Sequence, residues 1–380
     1  MKSLQWQDVV MVLGALGAVA LWHRGGLHTI TTVSEPSHLY STHPVPFVVT
    51  LCSGGNRSVK IANVTTDERQ LRQTIVLLKS AALATRTRLR FILLSDDIGI
   101  YEKVTKKIAQ WPPEFSSRIL LQFRPIFVPK ESSILEMYDR CSTERLYLPR
   151  VLPDVDSVVY LDTDMIFLRP PELLAQQFNL FDQKHVFGMA QLDGYYSSIN
   201  VAVPYVGKGL SAVPLLVNLT RWRQGSIDEQ TLEAIILGFK DRFDTGDQDV
   251  LNMVLIEKPD LVYQLGCEWH GHLEQCTETK WECKSVQRDG FSLVHGIRGR
   301  FLGDEHIEFN MYSRIIFRSW EEHVPGEPMS ALVSRLQESL KSSVNRDFCR
   351  CKLEALFRFF IDGSSYEEEF VKSIEKFCTT

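Results

Sequence analysis

The sequence predicts an α/β protein with a single mixed, mostly parallel β-sheet and helices on both faces. From residue 45 onward, short apolar runs of strand length alternate with longer amphipathic segments of helix length. Segments of that length supply the crossovers that parallel strands need. Of the 380 residues, 44% are hydrophobic and 23% are charged, which is typical of a globular protein.

The predicted elements follow one another as strand, helix, strand. Each strand is an apolar run, and each helix carries an apolar stripe on one side. The predicted strands are Val45–Cys52, Leu89–Leu94, Ile119–Phe127 and Ser157–Leu161, and the helices between them are Glu68–Thr85, Tyr101–Trp111 and Glu144–Leu152. Two later segments, Ala331–Lys341 and Tyr366–Phe377, read as charged helices that pack on the core and add no separate chemistry.

The N-terminus contains an apolar run from Val9 to Trp22. It is shorter than the roughly 20 residues of a usual bilayer span. Three readings stay open: an uncleaved signal anchor, a cleaved signal peptide, or a buried helix. We favour the anchor, because Leu4 and Trp6 extend the run and no small-residue cleavage site follows it. We therefore expect a tail and anchor at 1–24, a stem at 25–44, a catalytic domain at 45–310 and a helical extension at 311–380.

Several features agree with a lumenal, type II membrane protein of the endoplasmic reticulum or Golgi. Glycosylation sequons begin at Asn56, Asn63 and Asn218. In an oxidising lumen most cysteines are expected to be bridged. The cysteines concerned are Cys267, Cys276, Cys283, Cys349, Cys351 and Cys378. The rival is a zinc knuckle built from Cys267, His270, His272, Cys276 and Cys283, whose spacing matches no common zinc finger.

The charge balance argues against one class of partner. The chain has 42 Lys and Arg against 47 Asp and Glu, a formal net charge of −5, and it has no long basic run. A protein that binds nucleic acid by neutralising phosphates needs the opposite balance. We therefore expect no nucleic-acid partner.

A pair of aspartates marks the first candidate site. Asp162 and Asp164 follow the apolar run Val158–Leu161 and precede a second apolar run. Because side chains alternate along a strand, the two carboxylates are expected on one side and Thr163 on the other. A divalent cation such as Mg²⁺ or Mn²⁺ would relieve their repulsion and keep open positions that a diphosphate can fill. The pattern therefore indicates a metal or phosphate site.

Two later segments offer further polar groups. A third apolar run, Phe291–Val294, leads into His295, Gly296, Arg298 and Arg300. An imidazole there completes a metal shell, a glycine lets backbone approach a phosphate, and an arginine neutralises a leaving group. Between the two segments, capping of a helix that carries Val250 explains only part of an acidic cluster. The remaining polar groups, Asp244, Asp247, Gln248 and Asp249, suggest contacts with a hydroxyl-rich ligand.

These motifs, in this order, resemble the retaining glycosyltransferases of the glycogenin-like GT-A family (family 8). The matching stretches are Tyr160-Leu-Asp-Thr-Asp164, Gly246-Asp-Gln-Asp249 with Leu251-Asn252, His295-Gly-x-Arg298-Gly299, and Arg145 upstream. Within the family, the His-Gly-x-Arg-Gly motif and Cys267, Cys276 and Cys283 are most similar to the glucoside xylosyltransferases. Those enzymes add α-xylose to O-linked glucose on EGF-like repeats. The resemblance runs from about Phe47 to about Gly303.

The resemblance implies a role for each matching residue. It implies a GT-A fold and a UDP-xylose donor held through Mn²⁺, with Mg²⁺ as the alternative metal, by Asp162, Asp164 and His295. It also implies that Thr50, Leu51 and Cys52 hold the uridine and that Arg145, Thr163, Gly296 and Arg298 contact the donor. Asp247 and Gln248 would face the sugars, and Asp247 or Asp244 would be the nucleophile if the reaction ran through a covalent intermediate.

One stretch departs from the family pattern. The family carries an Asn-(Ser/Ala)-Gly turn before an apolar strand, whereas here Ser211 replaces the sugar-contacting Asn and Val213-Pro214 replaces the Gly. Alternatives therefore stay open. They are a different UDP-sugar or acceptor, as in xylose-on-xylose transfer, and a catalytically weakened or purely glycan-binding relative. A phosphatase with Asp162 as nucleophile is disfavoured, because Met165 and Ile166 follow without the usual hydroxyl residue.

Overall fold

The structure is a computed structural model. It describes residues 22–23, 26–27, 44–53, 65–127, 141, 143–192, 209–239, 243, 246–272, 283–302 and 307–343. The chain divides into two compact units, Met1–Pro44 and Val45–Thr380. In the first unit, strand β1 (Trp22–His23) pairs antiparallel with β2 (Gly26–Leu27), and most of the predicted anchor and stem lies outside the described residues. Among the residues that the structure describes, no helix has the length and apolar character of a membrane span.

The second unit alternates strands and helices as predicted. Its strands are β3 (Phe47–Leu51), β4 (Leu89–Ser95), β5 (Ile119–Pro125), β6 (Ser157–Leu161), β7 (Met165–Phe167), β8 (Phe187–Gln191), β9 (Leu210–Asn218), β10 (Val262–Leu265) and β11 (Leu293–His295). Its helices are α1 (Thr66–Ala84), α2 (Ile98–Ile108), α3 (Pro113–Ser116), α4 (Leu148–Val151), α5 (Pro171–Ala175), α6 (Leu219–Arg221), α7 (Glu229–Phe239), α8 (Asp247–Glu257), α9 (Lys284–Asp289), α10 (Ile307–Glu322) and α11 (Met329–Ser343).

Seven strands form one mixed sheet in the order β10-β8-β9-β6-β3-β4-β5. Every neighbouring pair is parallel except the two that include β9, which runs antiparallel to β6 and β8. The mostly parallel, mixed sheet is therefore confirmed. The expectation of a single sheet was wrong, because β7 pairs antiparallel with β11 in a separate two-stranded sheet.

The strands form because their side chains are buried on both faces. All five residues of β3 are buried, and β6 is buried from Val158 onward. A strand covered on both faces reads as a continuous apolar run, which is why these runs were visible in the sequence. Phe47 stacks on Phe91 of β4 with ring centroids 5.2 Å apart, and Phe167 packs edge-on against Phe47.

The segment predicted as the helix Glu144–Leu152 has a different structure. Glu144–Leu152 is a 3₁₀ turn, Glu144–Tyr147, followed by the single turn of α4. All four side chains of the 3₁₀ turn are buried. A segment with no exposed side does not show the periodicity of an amphipathic helix, and Pro149 supplies no backbone N–H.

A second apolar cluster joins the C-terminal helices to α1. Trp320 and Phe317 of α10 are fully buried there, together with Leu332 and Leu336 of α11. Helix α10 runs across the boundary predicted between residues 310 and 311. The predicted helix Tyr366–Phe377 lies outside the described residues.

Candidate active site

Asp162 and Asp164 lie in the turn that connects β6 to β7. Strand β6 ends at Leu161 and β7 begins at Met165. The expectation that the two aspartates lie on a strand was therefore wrong. Both are nevertheless partly buried, with side chains 30% and 15% exposed. Thr163 turns the other way and donates to Oε1 of Gln73 on α1 over 3.2 Å. The turn therefore presents both carboxylates to one side.

His295 reaches this turn through the small β7–β11 sheet. The register pairs His295 with Met165, and the N–H of Gly296 donates to the carbonyl of Asp164 over 2.7 Å. As a result Nε2 of His295 lies 3.3 Å from Oδ1 of Asp164 and 3.6 Å from Oδ2 of Asp162. Burial by itself would lower the pKa of His295, but Asp164 and then Asp162 raise it above its ordinary value.

These three side chains could hold a metal ion. Their ligand atoms all lie within 4.8 Å of one another. Two carboxylate oxygens and one imidazole nitrogen are a donor set that suits Mn²⁺, and hard cations such as Mg²⁺ accept the oxygens. A cation between the two carboxylates would also reduce the repulsion between them.

Arg145 connects the aspartate turn to the start of α8. Its Nη2 lies 3.0 Å from Oδ1 of Asp162, and its Nε lies 2.5 Å from Oδ2 of Asp247. The guanidinium also lies over the ring of Tyr160, 4.9 Å from its centroid. Burial raises the pKa of Asp247 to about 6 even though Arg145 opposes the shift. Burial would lower the pKa of Arg145, but the carboxylates of Asp247 and Asp162 raise it overall.

Helix α8 starts differently from the prediction. The sequence suggested an aspartate as the N-cap, but the N-cap residue is Gly246. Its φ is +71°, a backbone conformation that glycine adopts readily. Asp247 and Asp249 instead occupy the first turn and are both buried. Acidic groups in a first turn interact favourably with the helix dipole. Asp244, predicted as an alternative nucleophile, lies outside the described residues.

Side chains of α8 hold the first part of β9. Oε1 of Gln248 accepts from the N–H of Ala212 over 3.1 Å, and Arg145 Nη1 donates to the carbonyl of Ala212 over 3.0 Å. Asn252 exchanges two hydrogen bonds of 2.8 Å with the backbone of Leu210. The stretch that departs from the family pattern is thus part of β9 itself, and not the turn before it that the sequence suggested.

Ser211, on β9, contacts His270, which in turn lies next to His295. The residue is buried, its Oγ donates to the carbonyl of Val213 over 2.7 Å, and it lies 3.1 Å from Nε2 of His270. The same Nε2 is 3.4 Å from Nδ1 of His295. Burial, followed by the neighbouring His272 and His295, holds the pKa of His270 well below its ordinary value.

The predicted uridine strand ends beside the site. Thr50 accepts at Oγ1 from the hydroxyl of Tyr160 over 2.9 Å, and the side chain of Leu51 is fully buried. Cys52 forms a disulfide with Cys141, a pairing that the sequence did not suggest. Beyond it, the N–H of Ser53 donates to Asp96 over 2.8 Å.

Gly296 is required by packing. A Cβ at this position would lie 2.5 Å from the ring of Phe301. Its N–H is engaged by Asp164, so the expected close approach of a phosphate is not its only explanation. Arg298 lies in the 3₁₀ turn Ile297–Gly299 that follows.

The sequence analysis left two alternatives for the cysteines, disulfide bonds and a zinc site. Cys267 and Cys283 form a disulfide, as expected for a chain in an oxidising lumen. The zinc-knuckle alternative was wrong for these two sulfurs, because a disulfide offers no thiolate to a metal. Cys276, Cys349, Cys351 and Cys378 lie outside the described residues.

Sequence reasoning missed three contributors. His270 was considered only as a zinc ligand or as a contact of the acceptor. Gln73 was treated only as part of a predicted helix, and Cys141 was given no disulfide partner. Gln73 and Thr74 are polar residues buried in α1, and their burial becomes visible only in the structure. Trp269, also considered for the acceptor, is buried in the core.

Comparisons with known proteins agree with this picture. No family model matches the chain. Glucoside xylosyltransferase 2 of Mus musculus is 30% identical over 63% of this chain and 57% of its own length. Glucoside xylosyltransferase 1 of Danio rerio is 27% identical over 72% of this chain and 70% of its own length. In structure, the galactosyltransferase LgtC, solved with donor and acceptor sugar analogues, aligns with a TM-score of 0.50 at 18% identity, over 76% of this chain and all of its own.

The sheet, with the aspartate turn after β6, has the GT-A fold of glycosyltransferases. Within that class, the homologues of this chain are glucoside xylosyltransferases, at 25–30% identity over most of its length. The resemblance predicted from the motifs is therefore confirmed. The alignment covers little more than half of the mouse relative.

Proposed function

We propose that this protein transfers xylose from UDP-xylose, with retention, to O-linked glucose on EGF-like repeats of glycoproteins. The convergence of Asp162, Asp164 and His295 carries the proposal, because it suits a metal-held diphosphate. The names of the sequence relatives support xylose as the sugar and a glucoside as the acceptor. They do not favour the alternative of xylose-on-xylose transfer.

Asp162, Asp164 and His295 would hold the metal, with Mn²⁺ as the proposed ion and Mg²⁺ as the alternative. A bound divalent cation would neutralise the diphosphate of the departing UDP. The nucleotide would lie against Thr50, Leu51 and Cys52. Thr163 and Ser211 would also contact the donor. Gly296 and Arg298 would lie on the phosphate side, where an arginine stabilises developing negative charge.

Arg145 would orient the donor end of the site. It is buried between Asp162 and Asp247, so it holds both carboxylates in fixed positions. Gln248 would act by fixing the backbone of Ala212 next to the sugar. An anchored, water-poor arrangement of this kind supplies orientation and electrostatic stabilisation without reorganisation.

The proposed reaction is a front-face substitution. The acceptor hydroxyl oxygen forms a bond to the anomeric carbon, the bond from that carbon to the β-phosphate oxygen breaks, and the hydroxyl proton moves to the departing phosphate. The rival is a covalent intermediate through Asp247 or Asp244. The ion pair of Asp247 with Arg145 favours the front-face route, because it engages the carboxylate that would have to attack.

The cellular setting is proposed from the sequence. We place the protein in the endoplasmic reticulum or Golgi membrane as a type II protein, with residues 1–24 as tail and anchor and 25–44 as stem. The catalytic domain, 45–310, and the extension, 311–380, would face the lumen. The Cys267–Cys283 and Cys52–Cys141 disulfides support an oxidising compartment.

The test is transfer from a panel of UDP-sugars to a glucosylated EGF module with Mn²⁺ present. We expect xylose to be transferred from UDP-xylose, and both UDP-xylose turnover and product to disappear in Asp164→Asn with the fold intact. Asp154→Asn is the matched control, because Asp154 is exposed and pairs only with Arg124 among the described residues. Normal turnover in Asp164→Asn would contradict the metal site, and transfer of another sugar would contradict the donor.

A further inference from the structure

We propose that Gln73 is a positioning residue, which holds the aspartate turn of Asp162 and Asp164 in the orientation that a metal ion needs. This inference rests on the metal site of the proposed function and assigns a role to a residue outside that site. Gln73 lies in α1, and 3% of its surface is exposed. Its Oε1 accepts a hydrogen bond over 3.2 Å from the hydroxyl of Thr163, which stands between the two aspartates.

The burial of Gln73 costs free energy unless its amide is hydrogen-bonded. A side-chain amide that leaves water loses its hydrogen bonds to the solvent, so buried amides are found where the protein supplies a partner. Thr163 supplies that partner for the amide oxygen. An apolar side chain of similar length would fill the same space without this requirement. The hydrogen bond to the turn is therefore the feature of Gln73 that packing alone does not explain.

Thr163 controls the direction of the two carboxylates because it lies between them. Asp162 and Asp164 are in the turn between β6 and β7, so no strand pairing fixes which way their side chains point. Thr163 contacts α1, whereas both carboxylates approach His295 on the other side of the turn. Two charged carboxylates repel each other. Holding Thr163 to α1 opposes a rotation of the turn that would move them apart.

Helix α1 provides a fixed base for this contact. Ser80 follows Gln73 by seven residues, or about two helical turns, so the two side chains lie on the same side of the helix. Oγ of Ser80 accepts from the N–H of Phe167 in β7 over 3.0 Å. The helix therefore holds both the turn and the strand that follows it.

The two aspartates have anchors of their own. Nη2 of Arg145 lies 3.0 Å from Oδ1 of Asp162, and the N–H of Gly296 donates to the carbonyl of Asp164 over 2.7 Å. Gln73 adds an anchor at the middle residue of the turn. We therefore expect its loss to weaken metal binding without abolishing it.

The experiment measures the affinity of the full-length protein for Mn²⁺, from the free-Mn²⁺ signal in electron paramagnetic resonance. Gln73→Met keeps the length of the side chain and loses the acceptor. We expect an affinity about 3- to 10-fold weaker, as for the loss of one hydrogen bond. Thr163→Val removes the donor of the same bond, and we expect a similar loss. Thr163→Ser keeps the hydroxyl, and we expect an affinity within about twofold of the wild type.

A double variant separates positioning from a packing defect. We expect Gln73→Met combined with Thr163→Val to bind Mn²⁺ no more weakly than either single variant, because both changes remove the same hydrogen bond. Thr74→Val is the matched control. Thr74 is buried in the same helix, and its hydroxyl donates to the carbonyl of Gln70 and not to the turn, so we expect unchanged affinity.

Unchanged affinity in Gln73→Met overturns the inference. Additive losses in the double variant also overturn it, as does an equal loss in Thr74→Val, because a general packing defect would explain either result. If Gln73→Met does not fold, the comparison of Thr163→Val with Thr163→Ser replaces it, and equal affinities of those two variants overturn the inference. Wild-type protein that binds no Mn²⁺ contradicts the proposed metal site and the positioning role with it. Binding by the wild type without any effect of Gln73→Met contradicts the positioning role alone.

Discussion

Arg145 is the residue on which the charges of the site depend. It is buried, and it contacts Asp162 and the equally buried Asp247. Removing one member of a buried ion pair leaves a charge without compensation. A lysine could not replace it, because a single ammonium cannot form the forked contacts of a guanidinium.

We expect Arg145→Met to lower the free energy of unfolding by about 3–5 kcal/mol, because it leaves Asp247 buried and unpaired. Urea denaturation measures the change, and adding Asp247→Asn should recover part of it. Arg124→Met is the control, since its pair with Asp154 is exposed, and we expect a change of about 0–1 kcal/mol. A similar loss in both variants would contradict the role given to Arg145.

Substitution of two glycines by alanine is expected to change the stability of the protein in opposite directions. Gly296→Ala would press a methyl group against Phe301, and we expect destabilisation by about 1–3 kcal/mol and weaker metal binding through the adjacent His295. Gly238, in helix α7, has open space around its Cβ position, and we expect Gly238→Ala to stabilise by about 0.5–1 kcal/mol. Thermal unfolding of both variants checks the opposite signs. A Gly296→Ala protein that is not destabilised would show that Phe301 moves aside without cost.

At the scale of elements, the strands of the large sheet were predictable and the small sheet was not. Ser157–Leu161 was predicted with its observed bounds, and β3, β4 and β5 within two residues at each end. Their burial on both faces gives an unbroken apolar signal. Strands β7 and β11 have three residues each, too few for periodicity to distinguish them from a loop.

The contact between α1 and α10 depends on a buried lysine. Nζ of Lys79 donates to the carbonyls of Trp320, Glu321 and His323 over 2.7–2.9 Å, at the C-terminal end of α10. The last carbonyls of a helix lack partners within the helix, and a cation there also meets the negative end of its dipole.

We expect Lys79→Met to lower the free energy of unfolding by about 2–4 kcal/mol, because buried carbonyls lose a charged donor. Chemical denaturation measures the loss. Lys184→Met is the control, since Lys184 is exposed and pairs with exposed Asp260, and we expect a change below about 1 kcal/mol. An unaffected Lys79→Met protein would mean that water replaces the lysine at the helix end.

At the scale of the whole molecule, sequence reasoning found which residues converge but not what holds them. Asp162, Asp164 and His295 each stand next to an apolar run, and ligands gather where strands end. The pairing of Arg145 with Asp247 and of His270 with His295 depends on loop paths that no periodicity encodes. The Cys52–Cys141 disulfide was missed for the same reason.

The buried carboxyl of Glu144 is expected to make the stability of the protein depend on pH. Burial raises its pKa to about 8, although the N–H of Phe127 favours the charged form. Between its ordinary pKa and about 8 the folded protein keeps a proton that the unfolded chain has lost, so stability falls as pH rises. We expect urea midpoints to drop from pH 5.5 to 8 more steeply in the wild type than in Glu144→Gln. Parallel slopes would contradict a buried, protonated Glu144.

Helix α8 donates and accepts hydrogen bonds along the first part of β9, which lies beyond the residues that pair with β6. Backbone pairing between two strands is insensitive to side-chain identity, whereas Leu210 and Ala212 are held by the amides of Asn252 and Gln248. The backbone path of this part of β9 therefore depends on the side chains of two helix residues. A substitution at either position would change the backbone path at Leu210 and Ala212 while the strand pairing in the rest of the sheet stays as it is.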